Sequence, residues 1–353
     1  LITPATVIDD SPYNNSRAGG WPINTPAGYR GLTMVSDALK RSVNTVAVKI
    51  MANYSSPELA YQYLTGENGF GITTLVESKE INGQTYSDID IAPLALGGLT
   101  NGVTVREMAA AYSAFPRNGM YIESRTYKVL DSNGEVLLDN QPETHTVLKE
   151  STAWYMNTML QSVMTSGGTG SSGRFDGMSM AGKTGTTGLQ NTDRNKDAWM
   201  VAYNTEYAAA IWMGYDNTDA GHALPKDATG GTYPAMLLSR IFTYLYPDQS
   251  EAPLFPQPAG VRSVRLDNAS LKKEHQLKLA NALTPSESVL VEYFTENTAP
   301  DTQTDYWVIP SPPGQMRVDA GNDGLPIISF TPKQRFVLYQ IYRSEDGGTP
   351  QLL

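Results

Sequence analysis

The hydrophobic period of the chain changes near residue 177, and that change limits the folds it can adopt. Strand-like patterns over 177–187, 197–204 and 206–215 follow one another with no helical pattern between them. The short turn at 204–206 joins the second and third of these strands, which predicts an antiparallel hairpin. Parallel strands need long crossover connections, so this order predicts an α+β fold with an antiparallel sheet flanked by helices.

Helical patterns dominate the residues before that sheet and predict a helical lobe. Residues 33–51 have a helical pattern that is interrupted at Ser42-Val43-Asn44. Ser56 precedes Pro57, which is typical of an N-cap followed by proline at the first helical position. Thr104 and Glu107 have the spacing of a capping box. Further helices are predicted over 151–165 and 233–246, and a hairpin at Asn133-Gly134 within 121–139.

Composition divides the chain into three parts. Residues 1–247 hold the helical lobe and the sheet, and are predicted to form the main domain. Residues 248–310 open with a proline-rich stretch and are predicted to be a linker and β-rich extension. Residues 311–353 alternate apolar and polar side chains and resemble the opening strands of a fibronectin type III-like β-sandwich. A whole sandwich takes roughly 100 residues, so only part of one fits here.

The charge and the residue types present exclude several kinds of chemistry. The 353 residues carry a formal net charge of −10, which argues against nucleic acid as a partner. The chain has no cysteine, so thiol catalysis and thiolate metal sites are excluded. His145, His222 and His275 lie in polar contexts and are expected at the surface. Asp88 and Asp90 are expected to be solvated, and neither a metal site nor a cofactor is predicted.

The segment Ala181-Gly-Lys-Thr-Gly-Thr-Thr187 is the strongest local motif and allows two interpretations. Residues 177–184 match the spacing of a phosphate-binding loop, but the residues that follow are poor helix formers. The alternative is the Lys-Thr-Gly element of serine acyl-transferases, which lies on a strand. On an edge strand, lysine supplies charge, threonine hydroxyls bind a carboxylate, and glycine lets a substrate backbone approach closely.

Ser42-Val43-Asn44 is a second short motif, Ser-x-Asn, in the break between two helical patterns. Its simplest interpretation is a helix cap, in which Ser or Asn satisfies free backbone amides. Serine acyl-transferases nevertheless combine an element of this type, Ser-Asp-Asn, with Ser-x-x-Lys and Lys-Thr-Gly. Neither motif is specific alone.

Several separated blocks, taken in order, resemble class A penicillin-binding proteins of bacterial cell-wall synthesis. The resemblance extends from about Ile2 to Asn217 and rests on the blocks 29–33, 38–45, 96–104, 108–112, 118–119, 168–170, 181–187, 197–199 and 211–216. It implies the penicillin-binding and serine β-lactamase-like fold, and a D,D-transpeptidase that cross-links peptidoglycan stem peptides through a serine acyl-enzyme. β-Lactams would acylate the same serine.

The resemblance also implies roles for individual residues. Ser42 would relay a proton to the leaving amine, and Asn44 would orient a neighbouring lysine and bind the substrate amide. Lys183 would lend positive charge to the cleft. The substrate would bind along Thr184, Gly185, Thr186 and Thr187, with the Thr186 N–H as an oxyanion donor.

The nucleophile of the family, the serine of Ser-x-x-Lys, has no match before Ser42. The Ser-x-x-Lys at Ser270–Lys273 lies in a polar segment beyond the Lys-Thr-Gly strand and is interpreted as a chance match. We therefore expect an upstream segment of the same protein, as part of the polypeptide or as a separate chain, to supply it. The resemblance places such proteins at the extracytoplasmic face of the cytoplasmic membrane, with an anchor outside this chain.

Other functions on this fold stay open at the level of sequence. A D,D-carboxypeptidase or a β-lactamase uses the same motifs but resolves the acyl-enzyme with water. A non-catalytic domain that senses penicillin or binds wall peptides would keep the cleft without the chemistry. The motifs favour the transpeptidase because the blocks are those of class A proteins.

Overall fold

The structure is a computed structural model, and it divides the chain into two compact units. One unit comprises residues 1–264 and 291–299, and the other comprises residues 265–290 and 300–353. The domain boundaries expected at 247 and 310 remain predictions. The structure describes residues 2–16, 18–124, 128–175, 177–219, 221–247, 253–309, 311–332, 339–344 and 346–352.

Helices and strands follow one another in runs rather than in strict alternation. The helices are α1 (Val35–Arg41), α2 (Asn44–Tyr54), α3 (Pro57–Thr65), α4 (Ile91–Leu96), α5 (Val105–Tyr112), α6 (Glu150–Val163) and α7 (Tyr233–Leu245). The strands are β1 (Val7–Asp10), β2 (Gly31–Met34), β3 (Lys79–Ile81), β4 (Gln84–Tyr86), β5 (Met120–Ile122), β6 (Lys128–Leu130), β7 (Val136–Asp139), β8 (Thr144–Thr146), β9 (Ala181–Gly188), β10 (Asn195–Tyr203), β11 (Ala208–Gly214), β12 (Val261–Asp267), β13 (Val289–Thr295), β14 (Gly314–Ala320), β15 (Pro326–Thr331), β16 (Tyr342–Arg343) and β17 (Gln351–Leu352). No described helix has the length and apolar character needed to cross a membrane.

The central sheet of the first unit has the order β11-β10-β9, and both pairs are antiparallel. The turn between β10 and β11 is fixed by Asn204, whose Oδ1 accepts hydrogen bonds from the N–H groups of Glu206 and Tyr207. The predicted α+β arrangement and the hairpin are confirmed. The first strand begins at Ala181 rather than at Gly177, which has a positive φ of 84°.

Helices cover both faces of this sheet. On one face Met200 and Ala202 pack with Leu238 and Phe242 of α7. On the other face Tyr203 and Ala181 pack with the end of α6, where Leu160 and Val163 are buried. Side chains alternate along a strand, so successive residues of β9 point to the α7 face and to the face of the helical lobe.

The local signals in the helical lobe are confirmed. Ser56 caps α3, with its hydroxyl accepting from the Leu59 N–H at 3.1 Å. Thr104 and Glu107 form both halves of the capping box of α5. The hairpin predicted at Asn133-Gly134 is formed by β6 and β7.

Two expectations about individual side chains are wrong. Asp88 is fully buried rather than solvated, and its carboxylate accepts hydrogen bonds from the Val76 N–H and from the N–H and hydroxyl of Thr100. His145 is half-buried, with its Nε2 at 2.7 Å from the Gly69 carbonyl oxygen, whereas His222 and His275 are exposed as expected. A buried carboxylate such as that of Asp88 needs hydrogen-bond donors around it, and sequence spacing does not reveal those donors.

In the second unit a buried network surrounds Asp267. Its carboxylate accepts from the hydroxyls of Ser270 at 2.6 Å and Thr304 at 2.7 Å, and from the Trp307 indole N–H at 2.9 Å. Ser270 is fully buried in that network, which explains the serine of the Ser270–Lys273 match as structural. The strands β14 and β15 form an antiparallel pair in the predicted sandwich-like segment. The strand predicted around 336–339 lies mostly outside the described residues.

Candidate active site

Ser42 occupies a strained position at the end of α1. Its backbone is left-handed, with φ 57° and ψ 50°. The Ser42 N–H donates to Leu39 O at 3.1 Å and the Val43 N–H donates to Ala38 O at 2.9 Å, which is the pattern of a Schellman motif. Glycine usually fills this position, because the left-handed conformation costs other residues about 1–2 kcal/mol. A serine that tolerates this strain indicates a use for its side chain.

Lys183 of β9 reaches the Ser42 side chain across the sheet edge. Its Nζ donates to Ser42 Oγ at 2.8 Å and to the Thr184 carbonyl at 2.9 Å. The structure therefore brings together two residues that are 141 positions apart in sequence. Burial lowers the pKa of the Lys183 ammonium from 10.5 to about 8.

Thr184 and Thr186 lie on the face of β9 opposite to Lys183, because side chains alternate along a strand. The Thr184 hydroxyl donates to the Thr169 hydroxyl at 2.7 Å, and the Thr186 hydroxyl accepts from the Gly230 N–H at 3.0 Å. Thr186 and Thr187 are exposed, whereas Gly185 is half-buried against Trp199. The motif therefore presents the Lys183 cation on one face of the strand and the hydroxyls of Thr184 and Thr186 on the other.

The outer edge of β9 is free among the described strands, and its backbone is available to a ligand. Antiparallel strands direct alternate N–H and C=O groups towards and away from their partner. The Thr184 carbonyl accepts from Lys183 Nζ, which is consistent with an outward direction. Thr186 lies two residues further and directs its backbone the same way, towards the free edge.

Asn44 is the first residue of α2, and its side chain is held by residues 18–30, which lie between β1 and β2 and are called the lead-in segment. Its Nδ2 donates to the Ile23 carbonyl at 2.8 Å. The structure does not bring the Asn44 amide into hydrogen-bonding contact with Lys183. With one amide hydrogen occupied by Ile23, Asn44 Oδ1 remains available as an acceptor.

A buried network beneath this motif was not predicted from sequence. Asp10 is buried, and its Oδ1 accepts from Asn24 Nδ2 at 2.7 Å and from Thr45 Oγ1 at 2.5 Å. Its Oδ2 accepts from the Arg30 N–H at 3.0 Å. These bonds tie the lead-in segment to the start of α2. Asp10 lies two residues after Ile8 and therefore on the same face of β1, and this is the one sequence signal that could have indicated an inward carboxylate.

The Lys183 ammonium and the Ser42 hydroxyl, whose Nζ and Oγ atoms are 2.8 Å apart, can together deliver a proton to a leaving group. The ammonium of Lys183 lowers the energy of a developing negative charge nearby, and Ser42 can donate its proton while it accepts another. The free edge of β9 offers backbone groups that can pair with an extended peptide. This combination suits acyl transfer from a peptide that carries a carboxylate.

The family model described as penicillin binding protein transpeptidase domain matches residues 1–243. The chain belongs to this family, and the resemblance drawn from its blocks is confirmed.

Individual relatives agree with this assignment. Penicillin-binding protein 1A of Clostridium acetobutylicum is 34% identical over 228 residues, which are 61% of this chain and 26% of that protein. Penicillin-binding protein 1A of Clostridium botulinum (strain Langeland) is 31% identical over 317 residues, which are 87% of this chain and 35% of that protein. The chain therefore spans about a quarter to a third of the length of these relatives.

Solved structures confirm the predicted fold. Penicillin-binding protein 1A from Haemophilus influenzae has a TM-score of 0.61 at 21% identity, covering 86% of this chain and 46% of that one. PonA1 from Mycobacterium tuberculosis has a TM-score of 0.56 at 23% identity, covering 73% of this chain and 67% of that one.

Proposed function

We propose that this chain contributes the proton relay and the substrate-binding strand to a serine-type D,D-transpeptidase that cross-links peptidoglycan stem peptides. The 2.8 Å contact between Lys183 Nζ and Ser42 Oγ carries the proposal. It brings the Lys-Thr-Gly strand and the Ser-x-Asn turn into contact, and a single acyl-transfer site needs both motifs beside the same substrate. The family assignment supports the same reaction.

The nucleophile in this proposal is the serine of a Ser-x-x-Lys segment that residues 1–247 do not contain. That serine attacks the carbonyl of the penultimate D-Ala, and its proton passes to the lysine of the same segment. Ser42 accepts that proton from the lysine of the segment while it donates its own to the departing nitrogen, so the C–N bond breaks and the terminal D-Ala leaves as an amine. An amine of a neighbouring stem then attacks the ester carbonyl, and its proton returns through Ser42 and the same lysine to the serine oxygen as the ester C–O bond breaks.

The remaining residues hold the substrate and stabilise charge. The Thr186 N–H at the free edge of β9 acts as one oxyanion donor. Asn44 Oδ1 accepts a hydrogen bond from the lysine of the Ser-x-x-Lys segment or from the substrate amide. Thr184, Gly185, Thr186 and Thr187 bind the substrate along the strand, and Lys183 supplies the cation beside the relay.

β-Lactams are proposed as ligands of the same site. PonA1 from Mycobacterium tuberculosis has been solved in complex with penicillin V, and it has the fold of this chain with a TM-score of 0.55. The β-lactam ring is a strained amide with a carboxylate beside it, and it resembles the D-Ala-D-Ala end of the substrate. A β-lactam would therefore acylate the same serine. The site would then work at the extracytoplasmic face of the cytoplasmic membrane, with the anchor in another part of the protein.

The test uses the extended protein, meaning this chain joined to the segment that carries Ser-x-x-Lys. It is incubated with a donor stem pentapeptide and an amine acceptor, and the products are identified by mass spectrometry. The proposal predicts release of D-Ala together with a cross-linked peptide. Release of D-Ala with a shortened peptide alone would identify a carboxypeptidase.

Two further outcomes separate the other candidates. Rapid turnover of penicillin to its hydrolysed form would identify a β-lactamase. Reversible binding of penicillin without a covalent adduct would identify a non-catalytic domain. The extended protein in which the serine of Ser-x-x-Lys is replaced by alanine is the matched control, since it is expected to form no adduct.

A further inference from the structure

A short segment after the sheet, residues 224–232, lies against the Lys-Thr-Gly strand, and Asn195 holds it there. Asn195 and Leu224 exchange backbone hydrogen bonds at 3.0 and 2.8 Å. The Asn195 Nδ2 also donates to the carbonyls of Lys226 at 3.0 Å and Ala228 at 3.1 Å. We name residues 224–232 the glycine segment, because Gly230 and Gly231 make its contact with the strand.

Gly230 touches the backbone of the sheet directly. A Cβ built on it would lie 2.2 Å from the Trp199 carbonyl oxygen and 2.6 Å from the Gly185 carbonyl oxygen. A Cβ on Gly231 would lie 2.4 Å from the Thr169 carbonyl oxygen. Real side chains do not approach backbone so closely, so only glycine fits at both positions without moving the segment.

The contact with Gly230 restricts the direction of the Thr186 hydroxyl proton. The Gly230 N–H donates to Thr186 Oγ1 at 3.0 Å, so one lone pair of that oxygen is already occupied. A hydroxyl has one proton to donate, and at Thr186 the proton is directed away from Gly230. Thr184 differs, because its hydroxyl donates to Thr169 at 2.7 Å and its proton is already used.

We infer that Gly230 and Asn195 are positioning residues for anion recognition: they hold the Thr186 hydroxyl so that its proton faces the ligand carboxylate. The inference rests on the proposed function and adds two residues that lie outside the Lys-Thr-Gly and Ser-x-Asn motifs.

The test compares penicillin with its methyl ester, which lacks the carboxylate charge. Second-order rate constants for acylation of the extended protein are measured with both compounds, and their ratio gives the carboxylate preference. A hydrogen bond to a charged group corresponds to about 10- to 100-fold in rate, so Thr186→Val is expected to lower the preference by that factor. Asn195→Asp keeps the shape but removes both donors, and should lower the preference about three- to tenfold.

A double variant and a matched control make the result specific. Asn195→Asp should change the preference no further when Thr186→Val is already present, because the residue acts through Thr186. Asn191→Asp is the control, since Asn191 is exposed in the connection between β9 and β10, and it should leave the preference unchanged. If Asn195→Asp slows both compounds equally, or acts equally in the Thr186→Val background, its role is only structural and the inference is wrong.

A second readout, measured on the extended protein, does not depend on catalysis. Hydrogen exchange at the Gly230 amide should be at least tenfold faster in Thr186→Val than in Thr186→Ser, which keeps the acceptor. Equal exchange in the two variants would contradict the contact. If the wild-type extended protein forms no adduct with penicillin, the proposed function fails while this exchange result still tests the contact.

Discussion

At the scale of single residues, the strain at Ser42 and the charge of Lys183 define the site. Ser42 stands where a Schellman motif favours glycine, and Lys183 is an ammonium with a lowered pKa. Both features oppose stability locally, which is typical of residues kept for function. They lead to separate predictions.

Replacing Ser42 should separate stability from activity. Both Ser42→Gly and Ser42→Ala lose the hydrogen bond from Lys183, but only Ser42→Gly relieves the left-handed strain, so its free energy of unfolding should exceed that of Ser42→Ala by about 0.5–1 kcal/mol after the extra flexibility of glycine in the unfolded state is subtracted. Ser42→Ala keeps the strain and is therefore the reference variant. Denaturant unfolding of the extended protein measures both. Equal stabilities of the two variants would contradict the account of the strain.

The pH dependence of acylation should follow the Lys183 ammonium. Below about pH 8 Lys183 is charged and above it is neutral, so the second-order acylation rate constant should fall as pH rises through about 8. Lys183→Arg stays charged over this range, and any activity it retains should lack that decrease. An alkaline decrease that persists unchanged in Lys183→Arg would assign the titration to another group.

At the scale of elements, cap and turn signals can be checked one at a time. Thr104→Ala removes both hydrogen bonds of its hydroxyl to Glu107 and should lower the free energy of unfolding by about 1 kcal/mol. Thr104→Ser keeps the hydroxyl and is the control. Thermal or denaturant unfolding measures the difference, and an unchanged value for Thr104→Ala would show that the capping box contributes nothing.

Elements that depend on neighbours in sequence were predictable, and those that depend on distant partners were not. The helix break at Ser42, the cap at Ser56 and the hairpin after β10 follow from residues within a few positions of each other. The burial of Asp88 depends on Thr100, and the fit of Gly230 depends on β9 and β10. Such pairings form only when the chain has folded, so no local pattern records them.

The features of the site also divide into those that the sequence predicted and those that only the structure shows. Lys183 and Ser42 were predicted together only because the blocks resemble a family in which the two motifs meet. The distance between them, 2.8 Å, and the left-handed backbone of Ser42 come from the structure. The network of Asp10 and the contact of Gly230 have no short motif, and their residues lie 14 to 44 positions from their partners.

At the scale of the whole molecule, α7 presents an uncovered apolar stripe. Met236 is 49% exposed and Tyr244 is 85% exposed, and Tyr233, Leu237 and Ile241 lie beside them on the helix. β11 is also an outer strand among the described ones. Exposed apolar surface and free strand edges promote association, so we expect the chain by itself to aggregate.

Sedimentation of the purified chain tests this expectation. Aggregates or oligomers should dominate, and Met236→Glu with Tyr244→Glu should lower their share. Tyr54→Glu with Tyr63→Glu is the control, because these tyrosines are exposed on the helical lobe. A monomer that unfolds cooperatively without any substitution would contradict the prediction.

The rate at which fluorescent penicillin labels the extended protein tests the claim that Lys183 and Ser42 belong to one acyl-transfer site. Lys183→Ala removes the cation from the relay and should lower the labelling rate by about 10²–10³-fold, with the unfolding transition retained. Lys196→Ala, an exposed lysine of β10, is the matched control and should label like the wild type. Labelling of Lys183→Ala at the rate of Lys196→Ala, in a folded protein, would contradict the claim.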